Sequence, residues 1–237
     1  MSEFDARIRA LDWAAMQDAL EHQGWATSPL LAPAECAAFE ALWADEAAFR
    51  KTVVMARHGF GDGLYKYWHY PLPDPVASLR GALYAALSPL AESWRQRLDP
   101  KAAPYPETYE AYLDRCHAAG QRLPTPLLLR YQPGGYNCLH QDRYGAELFP
   151  FQAAILLSAP GADFTGGEFV LVEQRPRAQS KPEVVPLTQG EMVVFAVNHR
   201  PVRGTRGWYR TMLRHGVSPV RSGARATLGL ILHDATS

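Results

Sequence analysis

Two hydrophobic periods divide the chain. Up to about residue 122, apolar positions recur at three- and four-residue steps, the spacing of one helix face. Ile8, Leu11, Ala15 and Leu20 form a loose first stripe. A second run, ECAAFEALWADEAAF, opens at Pro33-Ala-Glu35, with proline in the first turn, where its missing N–H leaves nothing unsatisfied. The third starts at Asp74-Pro75 and sets Val76, Leu79, Leu83, Leu87, Leu90 and Trp94 on one face, with a kink expected at Pro89. PETYEAYLDRCHAAG predicts a fourth helix, which Gly120 is placed to cap. Beyond Pro124 the period shortens. TPLLLRYQ, FQAAILLS, GEFVLVEQ, EMVVFAV, TMLRHGV and RATLGLIL are short apolar or alternating runs between Gly, Pro, Asn and Asp turns. Such strands predict a sandwich or barrel. The expected organisation is one domain over residues 1–237, a mainly helical region (1–122) packed on a β-structured core (123–237).

Composition narrows the class. Of 237 residues, 47% are apolar and 20% charged, the profile of a soluble globular protein. The start, MSEFDARIRALDW, has no apolar core of a secretory signal, and no apolar run reaches membrane-spanning length. Cys36, Cys116 and Cys138 lack metal-type spacing. A cytoplasmic protein with reduced thiols and no membrane partner is therefore expected. The net charge is zero, yet residues 175–225 hold nine arginines and one lysine against two glutamates. That imbalance suits either an anionic partner or a solvated basic surface.

The chemistry begins at YNCLHQD. If this stretch is a strand, Tyr136, Cys138, His140 and Asp142 project from one side. An imidazole and a carboxylate so placed can share a metal ion, provided a third ligand comes from elsewhere. His199 sits in NHRPVRGTRG, which reads as a loop, and His233 lies almost at the end of the sequence. His215 closes a strand-like run with Thr211 and Leu213 on its face, and is the choice. His140, Asp142 and His215 suit Fe(II) in an open facial site, with zinc as the chemical rival. Ten residues on come Arg225 and Thr227, sharing a face. The Ser222-Gly223 turn is expected to fold their strand back beside that of His215, placing a guanidinium in the metal's cavity. Arginine grips a carboxylate bidentately, so a dianionic acid that chelates the metal would fit between them.

With these residues in place, the chain resembles the Fe(II)/2-oxoglutarate-dependent oxygenases. RYQPGGYNCLHQD, FTGGEFVL, QGEMVVF and HGVSPVRSGARATLGL look like blocks of the prolyl-hydroxylase-like branch, in order, over about residues 126–235. The whole chain, including VVMARHGFGDGLYKYWHYPLP, resembles a bacterial family described as AlkB-like, which oxidises damaged DNA. The resemblance implies a mainly β fold, a double-stranded β-helix or jelly roll over residues 123–237, backed by the N-terminal helices. It implies iron held by His140, Asp142 and His215, and O2 as oxidant. It further implies 2-oxoglutarate as cosubstrate, anchored by Arg225, with Thr227, Tyr131 and Tyr136 as further contacts.

The substrate is less constrained. LYKYWHY offers Tyr65, Tyr67 and Trp68 beside basic residues, either a platform for stacked bases or a strand extending the sheet. In the segment 200–214, Arg203, Arg206 and Arg210 have no acid among them and could track the phosphates of single- or double-stranded DNA. The alternatives are the same chemistry on a protein side chain such as proline or on a small metabolite, and a metal-dependent DNA-binding protein without demethylase activity. No sequence feature sets an oligomeric state.

Overall fold

The computed structural model describes residues 3–236. The first apolar stripe becomes two helices, α1 (Glu3–Ala10) and α2 (Trp13–Gln23). Asp12 divides them by accepting the Ala15 N–H at 3.0 Å, a side-chain cap that starts a new helix. Strand β1 (Trp25–Pro29) precedes α3 (Pro33–Ala41). Strands β2 (Phe49–Val54), β3 (Gly61–Asp62) and β4 (Leu64–Trp68) follow. The long helix α4 (Asp74–Leu98) buries the whole stripe from Val76 to Trp94. Pro89 stays inside it, and the Ser88 hydroxyl donates to the Ala85 carbonyl that proline cannot serve. Helix α5 (Tyr109–Ala118) starts with Thr108 accepting from Ala111 N at 3.2 Å.

The remaining strands are β5 (Leu127–Tyr131), β6 (Tyr136–His140), β7 (Phe151–Leu156), β8 (Phe164–Gly166), β9 (Phe169–Gln174) and β10 (Lys181–Val185). After them come β11 (Glu191–Ala196), β12 (His199–Gly204), β13 (Gly207–Val217), β14 (Val220–Gly223) and β15 (Arg225–Ile231). Among the described residues they form a seven-stranded antiparallel sheet, β1-β11-β7-β15-β5-β4-β2, and a six-stranded one, β10-β9-β13-β6-β3 with β12 on β13. The two sheets face each other as a jelly roll. The helices cover the outer face of the larger sheet. The N-terminal stretch is thus not only a helical layer, because β1, β2 and β4 complete that sheet.

Strand alternation sorts the larger sheet into two environments. On β15, Ala226, Leu228 and Leu230 pack into the core beneath the helices, while Arg225, Thr227 and Ile231 face the space between the sheets. On β7, Phe151 and Ile155 join the helical core and Gln152 and Ala154 turn inward. This corrects one expectation. The Arg225 strand does not lie beside that of His215; it pairs with β5 and β7 in the opposite sheet. Strand β14 pairs with β8 and carries the chain across, so Arg225 faces His140, Asp142 and His215 through the interior rather than along one sheet.

Several basic residues serve the fold. Arg200 is buried and bonded to Glu173 by two contacts of 3.1 Å, and NHRPVRGTRG is a β-hairpin rather than a loop. Lys66, next to Tyr65 and Tyr67, is buried, ion-paired with Glu46 and set over the rings of Trp43 and Phe49. The buried pair Arg80–Asp234, at 2.7 Å, ties the last strand's exit to α4, with Tyr70 donating to the same carboxylate at 2.9 Å. All three cysteines are free, and no helix among the described residues is long and apolar enough to cross a membrane.

Candidate active site

His140 and His215 are register partners on β6 and β13, with ring centroids 4.2 Å apart. The pairing of β6 with β13 contains a bulge: Val217 opposes Asn137 and His215 opposes His140, so three steps on β6 match two on β13. The bulge allows close approach only because residue 216 is glycine; a Cβ there would come 2.6 Å from Asn137 O. It also breaks strict alternation. Asn137 and His140 both face the cavity, and Tyr136 turns out to solvent, 40% exposed and away from the cavity wall. The proposed cosubstrate contact through Tyr136 is therefore corrected.

Asp142 lies beyond the end of β6, not on the strand as expected. Gln141 holds the loop by donating to Leu213 O at 2.7 Å and Asn198 O at 3.2 Å, which leaves Asp142 pointing inward. Its Oδ2 is 3.3 Å from His215 Nε2 and its Oδ1 is 3.6 Å from His140 Nε2. One ligand atom from each of the three residues falls within 4.8 Å of the others. His140 Nδ1 donates to Cys138 O at 2.8 Å, so its Nε2 keeps a lone pair. Burial, followed by the neighbouring His140, pushes His215 below its ordinary value and favours its neutral, lone-pair-bearing form. Burial opposes the Asp142 charge, but His140, His215 and Tyr144 outweigh it and hold the carboxyl well below the usual range. Two further donors grip this carboxylate: Tyr144 OH on Oδ1 at 2.6 Å and Gln152 Nε2 on Oδ2 at 2.8 Å. Two imidazoles and one ionised carboxylate, converging with the cavity side open, fit an Fe(II) facial site.

Across the cavity, whose volume is about 370 Å³, stands Arg225. It is buried, donates to Thr227 Oγ1 at 2.6 Å, and has an unpartnered Nε. The rings of Tyr131 and Phe164 lie 5.7 and 5.9 Å from its guanidinium. Among the described residues no carboxylate is within ion-pair distance. Burial pushes this guanidinium down to about 10. A buried cation without a counter-ion is costly, so the position suits an anion brought from outside. Tyr131 also lines the cavity, its buried hydroxyl without a well-formed hydrogen bond.

The substrate candidates separate. Tyr65 and Tyr67 line the cavity, and Tyr67 OH donates to Tyr144 OH at 3.1 Å. Trp68, on the other face of β4, is wholly buried against Phe49 and cannot meet a substrate. Arg203 lies over the Trp208 ring, Arg210 donates to Leu98 O, and Arg206 sits in the exposed hairpin turn; none lines the cavity. Sequence reasoning passed over Tyr144 and Gln152. Gln152 did carry a signal, as the one strongly polar side chain in FQAAILL.

The model of the Oxygenase-NA family, described as an oxygenase catalysing oxidative methylation of damaged DNA, matches residues 63–235. The chain belongs to this family. It is also 49% identical over 165 residues, 70% of each chain, to uncharacterized protein Rv2227 of Mycobacterium tuberculosis (strain ATCC 25618 / H37Rv). A prolyl hydroxylase from Trichoplax adhaerens superposes with a TM-score of 0.55 at 13% identity, over 97% of this chain and 91% of that one. A Pseudomonas putida prolyl-4-hydroxylase gives 0.50 at 17% identity, over 92% and 96%. The epimerase SnoN from nogalamycin biosynthesis gives 0.52 at 16%, over 92% and 80%. These likenesses concern the jelly-roll fold, which carries differing reactions and does not choose a substrate. Family membership makes this Oxygenase-NA protein an oxygenase, and its His140–Asp142–His215 donor set suits a non-haem Fe(II) centre.

Proposed function

We propose that this protein hydroxylates a C–H bond on an alkylated base presented in unpaired DNA. The observation that carries the chemistry is the acid-free, buried Arg225 facing the His140–Asp142–His215 cluster across one cavity. In this reading the two histidines and Asp142 hold Fe(II). Arg225 and Thr227 bind the distal carboxylate of 2-oxoglutarate, and Tyr131 donates to the cosubstrate from the cavity wall. Asp142 stays ionised throughout, because Tyr144 and Gln152 supply both its oxygens with donors. When bound, iron with 2-oxoglutarate and O2 supplies the oxidation: CO2 leaves, one oxygen atom enters succinate and the other the new hydroxyl.

The nucleic-acid part is supported by the family's description and by the cavity's aromatic wall. Tyr65 and Tyr67 flank the space beyond the metal ligands, and Phe60 and Leu139, each 47% exposed, stand where the cavity opens. An extruded base needs apolar and aromatic faces of this kind. The exposed Arg206 turn would meet phosphates outside. The test is succinate formation by iron-loaded protein offered single-stranded oligonucleotides containing 1-methyladenine, their unmodified counterparts, and prolyl peptides. Stimulation by the methylated oligonucleotide is expected. Stimulation by the peptides alone would overturn the substrate.

A further inference from the structure

Gln152 has a second polar atom that the Asp142 contact does not use. Its side chain is 3% exposed, lines the cavity, and donates through Nε2 to Asp142 Oδ2 at 2.8 Å, with His215 Nε2 at 3.3 Å. Turning the amide over would set its oxygen against a carboxylate oxygen, so the assignment of N and O follows from the contact. Oε1 is then left buried without a partner. The hydroxyls of the cavity wall on this side are committed elsewhere, Tyr144 to Asp142 Oδ1 and Tyr67 to Tyr144, and the residues opposite Gln152 on the neighbouring strands, Phe195 and Ile231, have no donor.

A buried carbonyl left unsatisfied is destabilising, and native interiors rarely keep one without a use. The 2-oxoglutarate dianion and dioxygen carry no N–H or O–H, so neither can donate to it, whereas a substrate N–H can. We propose that Gln152 is a specificity-determining residue, whose Oε1 accepts a hydrogen bond from an N–H donor on the substrate next to the carbon that is oxidised. This rests on the nucleic-acid reading above; on an alkylated base the donor is an exocyclic amino group. Pinning Nε2 to a metal ligand fixes the acceptor relative to the reacting centre, which is what selection by a single hydrogen bond requires.

The experiment measures binding rather than turnover. Protein loaded with Fe(II) and 2-oxoglutarate without oxygen is titrated into fluorescent single-stranded oligonucleotides containing N6-methyladenine, which keeps one N–H, or N6,N6-dimethyladenine, which has none. The wild type is expected to prefer the first by about tenfold. Gln152→Met should bring the ratio close to one, whereas Tyr144→Phe, which removes the other donor to Asp142 but leaves Oε1, should keep it. Because each ratio is taken within one protein, general losses of folding or metal cancel. The same preference in Gln152→Met as in the wild type would mean that bulk alone discriminates and would overturn the assignment. So would a Gln152→Met protein that binds neither oligonucleotide while Tyr144→Phe binds both, which would leave a positioning role only. If the wild type binds neither, the nucleic-acid reading itself falls, and the assignment with it.

Discussion

Arg225→Met separates ligand binding from stability in opposite directions. The guanidinium is buried without a counter-ion, and burial moves it from its ordinary value of 12.5 to about 10, a difference worth about 3 kcal/mol against the charged form. A methionine of similar length removes that cost, so the ligand-free protein should become more stable by up to about 3 kcal/mol. For a chain of this size that raises the melting temperature by roughly 6–12 °C. The cosubstrate should respond the other way. Losing a charge-assisted contact to a carboxylate costs about 1.5–3 kcal/mol, or roughly 10- to 150-fold in affinity. At a concentration 100 times the wild-type dissociation constant, 2-oxoglutarate stabilises the wild type by about 2.7 kcal/mol; a 30-fold weaker site retains about 0.9 kcal/mol. Melting curves of the manganese-loaded protein, with and without 2-oxoglutarate, read both quantities. A variant that melts lower without ligand, or keeps the full ligand-induced rise, would refute the view of Arg225 as a cation held ready for an anion.

Asp142→Ala should lower iron affinity at least 100-fold, read as bound metal per protein after gel filtration; stoichiometric iron would move the carboxylate ligand elsewhere. Asp234→Ala strands the wholly buried Arg80 and should destabilise by about 3–5 kcal/mol in urea unfolding, without changing metal content. His233, pushed down to about 4 by burial, must stay neutral in the fold. Its folded value lies below its unfolded one, so its contribution is complete above pH ~6.5 and is lost as pH falls from there to ~4, by up to about 3 kcal/mol. Urea unfolding of the metal-free protein across that range should show a shallower slope in His233→Gln, the remainder belonging to the buried His215; an unchanged slope would place the titration elsewhere.

Local pattern determined the elements and pointed to the candidate metal and anion residues. The stripe from Val76 to Trp94 dictates a helix, and the short apolar runs after Pro124 dictate strands, because side-chain period is a property of adjacent residues. The spacing of His140, Asp142, His215 and Arg225 was legible for a similar reason: these residue types have little use together in an apolar core except around a metal and an anion. Tertiary structure alone decided which sheet each strand entered. It set Arg225 opposite His215 rather than beside it, since strand partners are chosen by long-range packing. It also decided which polar residues were already occupied. Arg200 found Glu173, Lys66 found Glu46, and Trp68 filled the helical core, all through contacts more than fifteen residues apart in the chain. A single bulge between β6 and β13 turned Tyr136 outward. One extra residue in a strand reverses every face beyond it, and alternation counted along a sequence has no means of registering where that happens.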